Sequence, residues 1–219
     1  MGRPVFLFDL DGVIFDTEGQ YSVLWDRIGR EYLSDPDFGN RIKGQTLVQI
    51  YDRYFPGDIE TQDSIRDSLY RLEREMDYPY VPGVERFLGE LVAGGYATAI
   101  VTSSNRDKME NVYRVHPEIR KMFSRIFTGE DFARSKPAPD CYLLGMEFFG
   151  SRPEDTFIFE DSLNGLRSAR DSGGNVIALA TTCGRDAVAP YSGLVIDDFT
   201  GTDVPGLLAR YNHAEHSNG

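Results

Sequence analysis

Near its start the chain runs through four apolar residues, Val5-Phe6-Leu7-Phe8, and then meets Asp9-Leu10-Asp11-Gly12. A continuous apolar run of this length is how a strand buried on both faces reads, and such strands belong to parallel sheets. The acidic loop that stops it then stands outside the carboxyl end of a strand, where open α/β sheets bind ligands. The rest of the sequence extends this pattern. Strands are predicted at 97–101, 125–128, 156–159, 176–180 and 194–196. Helices are predicted between them at 84–93, about 106–115, 140–149 and 162–171. Gly94-Gly95, Gly150 and Gly173-Gly174 follow three of these helices as stop signals. Strand and helix in alternation give an α/β domain around a parallel sheet.

One stretch breaks the alternation. From about 17 to 78 no strand pattern occurs. Tyr21, Trp25, Ile28 and Tyr32 recur at helical spacing, as do Ile65, Leu69, Leu72 and Met76. Asp35-Pro36-Asp37 and Phe55-Pro56-Gly57-Asp58 break the helices. This predicts a small helical domain, residues 17–79, inserted into a core made of 1–16 and 80–219. The aromatic stripe of Tyr21, Trp25 and Tyr32 is expected to pack inside the insertion. Two prolines and a glycine at 79–83 predict a hinge where the chain re-enters the core. The polar tail from Tyr211 onward is expected to fray.

Composition narrows the partners. The 219 residues carry a formal charge of −12, a poor field for gripping nucleic acid or anionic lipid. No apolar run reaches the ~20 residues of a membrane span, and Asp9 cuts the first run too short for a signal-peptide core. A cytoplasmic monomer is the expectation. Cys141 and Cys183 lack metal-finger spacing and read as two reduced thiols. His116, His213 and His216 are scattered, against an imidazole metal site. Gly39–Thr46 nearly matches a phosphate-binding loop, but Gln45 stands where that loop needs lysine.

The predicted strand ends bring together an unusual set. Asp9 and Asp11 follow the first strand, and Thr102-Ser103-Ser104-Asn105 the second. Lys136 lies beyond the third, and Glu160-Asp161 ends the fourth. Four carboxylates at one edge repel on the order of 4 kcal/mol per pair at 4 Å, so they need a cation or some of them must protonate. All-oxygen ligation suits Mg²⁺ better than zinc, and a bound Mg²⁺ turns the pocket attractive to phosphate. Aspartate is an established nucleophile toward phosphorus.

These segments resemble four motifs of the haloacid dehalogenase-like (HAD) hydrolases: 8–13, 101–105, 135–140 and 159–162, in order along the chain. The helical insertion is similar to the cap of the β-phosphoglucomutase-like branch. The resemblance implies a Rossmann-like core with a helical cap, and a role for each matched residue. Asp9 would be the nucleophile that forms an aspartyl-phosphate. Asp11 would protonate the leaving oxygen and then deprotonate water. Thr102, Ser103, Ser104 and Asn105 would bind the phosphoryl group. Lys136 would stabilise charge on Asp9 and the phosphoryl. Glu160 and Asp161 would hold Mg²⁺ with Asp9 and the Asp11 carbonyl.

A dehalogenase has no use for Asp11, since halide leaves without a proton. A mutase needs a second-phosphate grip. β-Phosphoglucomutases carry a histidine and an arginine where Tyr21 and Leu47 stand here. The expected activity is therefore hydrolysis of a small phosphorylated metabolite, with the mutase as the alternative. A non-catalytic binding module on the same fold is a remote third. Arg41 and Lys43 are the expected cap cations facing the site.

Overall fold

The computed structural model describes residues 2–216, with side chains through Tyr211. Six strands form one parallel sheet: β1 (Val5–Phe8), β2 (Ala97–Val101), β3 (Arg125–Phe127), β4 (Thr156–Glu160), β5 (Asn175–Leu179) and β6 (Leu194–Ile196). Their order is β3-β2-β1-β4-β5-β6. β1 lies at the centre, with Phe8 level with Ile100 on one side and Phe159 on the other. The winding reverses there, so β1 and β4 flank the switch point at which such sheets bind ligands.

Helices follow in chain order: α1 (Glu18–Ile28), α2 (Phe38–Ile42), α3 (Leu47–Tyr54), α4 (Ile59–Glu75), α5 (Val84–Ala93) and α6 (Arg106–Val115). Then come α7 (Ile119–Met122), α8 (Asp140–Phe149), α9 (Leu163–Asp171), α10 (Arg185–Val188) and α11 (Val204–His216). Alternation along β1 sends Phe6 and Phe8 to one face and Val5 and Leu7 to the other. Phe8 stacks on Phe159 at 4.5 Å and meets Phe87 of α5 edge-on. Leu7 faces the cluster containing Tyr142 of α8 and Leu166 of α9. All four β1 side chains are under 5% exposed, as the unbroken apolar run requires.

α1 to α4 build their own apolar cluster around Trp25, Phe38, Phe55 and Ile65. The predicted stripe along the first helix does not run to Tyr32. α1 ends at Ile28 and widens into a π-helical turn, Gly29–Leu33, closed by Ser34 in a left-handed conformation. Gly29 permits the turn: a Cβ there would lie 2.3 Å from Phe38 and from the Asp35 carbonyl. Tyr32 is 39% exposed as a result.

The two chain crossings between insertion and core are paired. Asp16 N–H donates to the Pro79 carbonyl at 2.7 Å, and Val81 N–H to that of Ile14 at 2.9 Å. The His116 ring stacks on Phe15, and its Nε2 contacts the Tyr78 carbonyl at 2.9 Å. Tyr211, where the polar tail begins, is anchored. α11 continues past Tyr211, whose hydroxyl donates to the Val176 carbonyl at 3.0 Å and whose ring meets Phe157 edge-on. Residues 217–219 and the side chains of His213 and His216 lie outside the described part. Cys141 and Cys183 are free thiols. No helix among the described residues is long and apolar enough to cross a membrane.

Candidate active site

The strand ends deliver their polar residues to one cleft of about 640 Å³ between sheet and cap. Asp9 follows β1 directly, with its N–H on the Phe159 carbonyl at 3.0 Å. β4 runs one residue further than the sequence pattern implied, so Glu160 is part of the strand and fully buried.

Lys136 is the hub. It is 5% exposed, and its Nζ donates to Asp9 Oδ1 at 2.7 Å, Glu160 Oε1 at 2.5 Å and the Val101 carbonyl at 3.1 Å. Burial opposes its charge, but the carboxylates of Asp9 and Glu160 outweigh burial and hold its pKa above the usual lysine value. Glu160 is saturated with donors. Oε1 also accepts from Tyr142 Oη at 2.8 Å, and Oε2 from the amides of Asp161 and Ser162 at 3.0 and 3.3 Å. Gly165 makes room for it, since a Cβ there would lie 1.9 Å from Oε1.

One carboxylate oxygen from each of Asp9, Glu160 and Asp161 falls within 4.8 Å of the others. Three carboxylates against one ammonium leave two negative charges uncompensated. Burial, offset in part by Lys136, pushes Asp9 up to about 7. Burial, with Glu160 and Asp9 adding to it, raises Asp161 well above the carboxylate range. Asp161 Oδ1 is buried without a hydrogen-bond partner. An orphaned carboxylate oxygen beside two surplus charges is what a hard divalent cation satisfies, so these residues fit Mg²⁺. Asp9 and Asp161 are the residues with oxygens that could ligate such an ion, because the oxygens of Glu160 already have protein donors. Gly12 keeps the approach free: its φ is +71°, and a Cβ would lie 1.9 Å from Asp161 Oδ2.

The Asp11 side chain points elsewhere, outside the carboxylate cluster. Oδ1 accepts from Thr17 Oγ1 at 2.6 Å; Oδ2 accepts from Ser104 Oγ at 3.2 Å and Lys108 Nζ at 2.5 Å. Burial raises its pKa, but the charge of Lys108 and these hydrogen bonds outweigh burial and hold it below the usual value. Sequence reasoning missed Lys108, which is 3% exposed. A signal existed. It sits in the first turn of a helix that starts just after the hydroxyl loop, and helical side chains lean back toward the N-terminus.

Thr102, Ser103 and Ser104 line the cleft, and Thr102 Oγ1 accepts from the Ser104 amide at 3.0 Å. Asn105 does not line it. Asn105 caps α6, its Oδ1 accepting from the Lys108 amide at 2.9 Å. Lys43 lines the adjoining cavity beside Asp11. Arg41 lies outside both, 60% exposed and 3.1 Å from Asp35, because α2 turns it toward the preceding loop. Tyr21 and Trp25, expected only as packing, line the same cavity as Lys43. Asn164, at the start of α9, reaches across the cleft. Its Nδ2 donates to the Gly44 carbonyl at 2.6 Å and Gln49 Oε1 at 3.2 Å, tying the cap loop to the core.

The family model for haloacid dehalogenase-like hydrolases matches residues 6–179. A probable pseudouridine-5′-phosphatase from Drosophila melanogaster is 28% identical over 182 residues, covering 78% of this chain and 79% of that protein. A β-phosphoglucomutase from Mycobacterium bovis is 27% identical over 237 residues, covering 92% and 90%. Among solved structures, the β-phosphoglucomutase of Clostridium difficile superposes with a TM-score of 0.80 at 18% identity, covering 97% of this chain and 99% of its own. That likeness is one of fold.

Proposed function

The chain belongs to the haloacid dehalogenase-like hydrolase family, and from that membership we propose that it is a Mg²⁺-dependent phosphatase acting on a small phosphomonoester, such as a sugar phosphate, through an aspartyl-phosphate on Asp9. The observation that carries this reading is the division of labour between two aspartates two residues apart. Asp9 sits against Lys136 in the carboxylate cluster, while Asp11 sits against Lys108, Thr17 and Ser104 beside the second cavity.

With Asp9 Oδ1 held by Lys136, Oδ2 is the oxygen for attack. As the Oδ2–P bond forms, the bond from phosphorus to the leaving oxygen breaks, and Asp11 gives that oxygen a proton. The dianionic phosphoryl group raises the proton affinity of Asp11 for this step. Water then attacks phosphorus, Asp11 takes its proton, and the Asp9–phosphorus bond breaks to release phosphate. The depressed pKa of Asp11 in the resting site suits this second half, where it works as a base. Lys136 holds Asp9 and opposes its charge, and Glu160 anchors Lys136. Thr102, Ser103 and Ser104 hold the phosphoryl oxygens. A Mg²⁺ held by Asp9, Asp161 and the Asp11 carbonyl, with Glu160 behind them, would neutralise phosphoryl charge. Residues 17–79 act as a cap over the core and exclude bulk water when closed.

A phosphomonoester panel tests the reading, run with Mg²⁺, with EDTA, and with Asp9→Asn. Mg²⁺-dependent phosphate release that the substitution abolishes is the expected result. The mutase reading draws on the mycobacterial relative's broader coverage of the chain. Interconversion of glucose 1- and 6-phosphate on adding a bisphosphate, without phosphate release, would establish it instead. Phosphate release unaffected by Asp9→Asn would overturn both.

A further inference from the structure

Past Asp11 the cleft opens into a second cavity of about 310 Å³ between cap and core. This is near the lower end of the roughly 300–1,000 Å³ usual for ligand sites. Asp11 borders both cavities. On the reading above, a phosphoryl group at Asp9 has its leaving oxygen at Asp11, so the leaving group extends into this second space.

Its walls carry charge of both signs. Lys108 is committed to Asp11 at 2.5 Å, and its Nζ sits 4.9 Å from the centre of the Tyr21 ring. That leaves Lys43 against two carboxylates, Glu18 and Glu73. While Asp11 is ionised and holds Lys108 the balance is negative, and the carboxylate of Glu73 disfavours a second phosphate or a carboxylate placed against it.

Glu73 is also held in place. It lies near the end of α4, and Tyr21 Oη donates to its Oε1 at 3.0 Å. The Tyr78 hydroxyl donates to its main-chain carbonyl at 2.6 Å. A fixed carboxylate in a narrow cavity accepts hydrogen bonds from hydroxyl groups and repels anions. Trp25 also borders this cavity, with most of its ring packed in the cap's apolar cluster.

We propose that Glu73, oriented by Tyr21, determines specificity: it selects leaving groups that donate hydroxyls and rejects those bearing a second anionic group. The inference rests on the phosphatase reading and adds to it. The preferred substrates are then phosphomonoesters of neutral sugars or polyols rather than bisphosphates or phosphorylated sugar acids.

The test compares selectivity ratios. kcat/KM is measured for glucose 6-phosphate, fructose 1,6-bisphosphate and p-nitrophenyl phosphate, whose leaving group has no aliphatic hydroxyl. Glu73→Gln keeps an acceptor for Tyr21 and removes the charge. It is expected to lower the ratio of glucose 6-phosphate to p-nitrophenyl phosphate by about tenfold or more, the worth of a hydrogen bond to a charged group. It is also expected to narrow the preference for glucose 6-phosphate over the bisphosphate. Tyr21→Phe, which leaves the Glu73 charge in place and frees its orientation, should lower the first ratio with less effect on the second. It serves as the test if Glu73→Gln does not fold. Turnover of p-nitrophenyl phosphate with both ratios unchanged in the variants overturns the inference and leaves the phosphatase reading intact. A wild-type preference for the bisphosphate also overturns it. No phosphate release from any of the three esters overturns both.

Discussion

Gly165→Ala looks like a stabilising change and is predicted to do the reverse. Position 165 is inside α9, where alanine is favoured over glycine by ~1 kcal/mol. The added methyl would lie 1.9 Å from Glu160 Oε1 and 2.0 Å from its carboxyl carbon. Reaching ordinary contact distance takes a shift of more than 1 Å, and Glu160 has nowhere to go without releasing partners. Its Oε1 holds Lys136 and Tyr142, and its Oε2 holds the Asp161 and Ser162 amides. Hydrogen bonds to a charged group contribute about 1.5–3 kcal/mol each, so losing two costs about 3–6 kcal/mol against the ~1 gained. The net is a loss of about 2–5 kcal/mol, or a fall in Tm of roughly 10 °C for a chain of this size. Turnover should fall as well, because Lys136 is freed to drift from Asp9. Denaturant melts and phosphate release on the same preparation measure both effects. A melt unchanged or raised, with full turnover, would refute the claim that a saturated Glu160 anchors Lys136.

Metal-free protein should lose stability as pH rises from about 4 to about 7. Asp9 and Asp161 have raised pKa values in the folded state, so folded protein binds protons there that unfolded protein does not. Mg²⁺ should cancel the slope and stabilise by ~2.7 kcal/mol at a hundred times its Kd, seen by denaturant titration; a flat metal-free profile would count against the charge imbalance. Arg41→Ala should leave KM within about twofold, since its exposed pairing with Asp35 is worth ~1 kcal/mol at most and lies away from the cleft. Asn164→Ala should raise KM more than it lowers kcat and speed amide exchange at 43–46, because Gly44 loses its tie to the core; unchanged exchange would remove Asn164 from cap closure.

The centre of the sheet is legible in this sequence because its inner strands are buried on both faces. Runs such as Val5–Phe8 and Ala97–Val101 admit few other readings. The residues at strand ends are legible for the same reason: once β1 and β4 are placed, Asp9 and Glu160 must be neighbours. Residues that reach the site from helices are not. Lys108 and Tyr142 belong to amphipathic patterns in which one buried polar atom leaves no mark on the spacing. Asn164 reads as a residue of a helix start, and only the packed structure shows it bonded to Gly44 across the cleft. Arg41 is suggested by its charge and Asn105 by its place in the loop after β2, yet neither lines the cleft. A short helix rotates Arg41 toward Asp35, and the start of α6 claims the Asn105 side chain as its cap.

An aspartyl-phosphate on Asp9 can be trapped chemically. Acid-quenched turnover with a phosphomonoester, followed by borohydride reduction, converts an aspartyl-phosphate to homoserine, which peptide mass spectrometry locates. Homoserine is expected at position 9 alone, dependent on both substrate and Mg²⁺. Steady phosphate release with unmodified Asp9, or with the modification at another carboxylate, would contradict the mechanism.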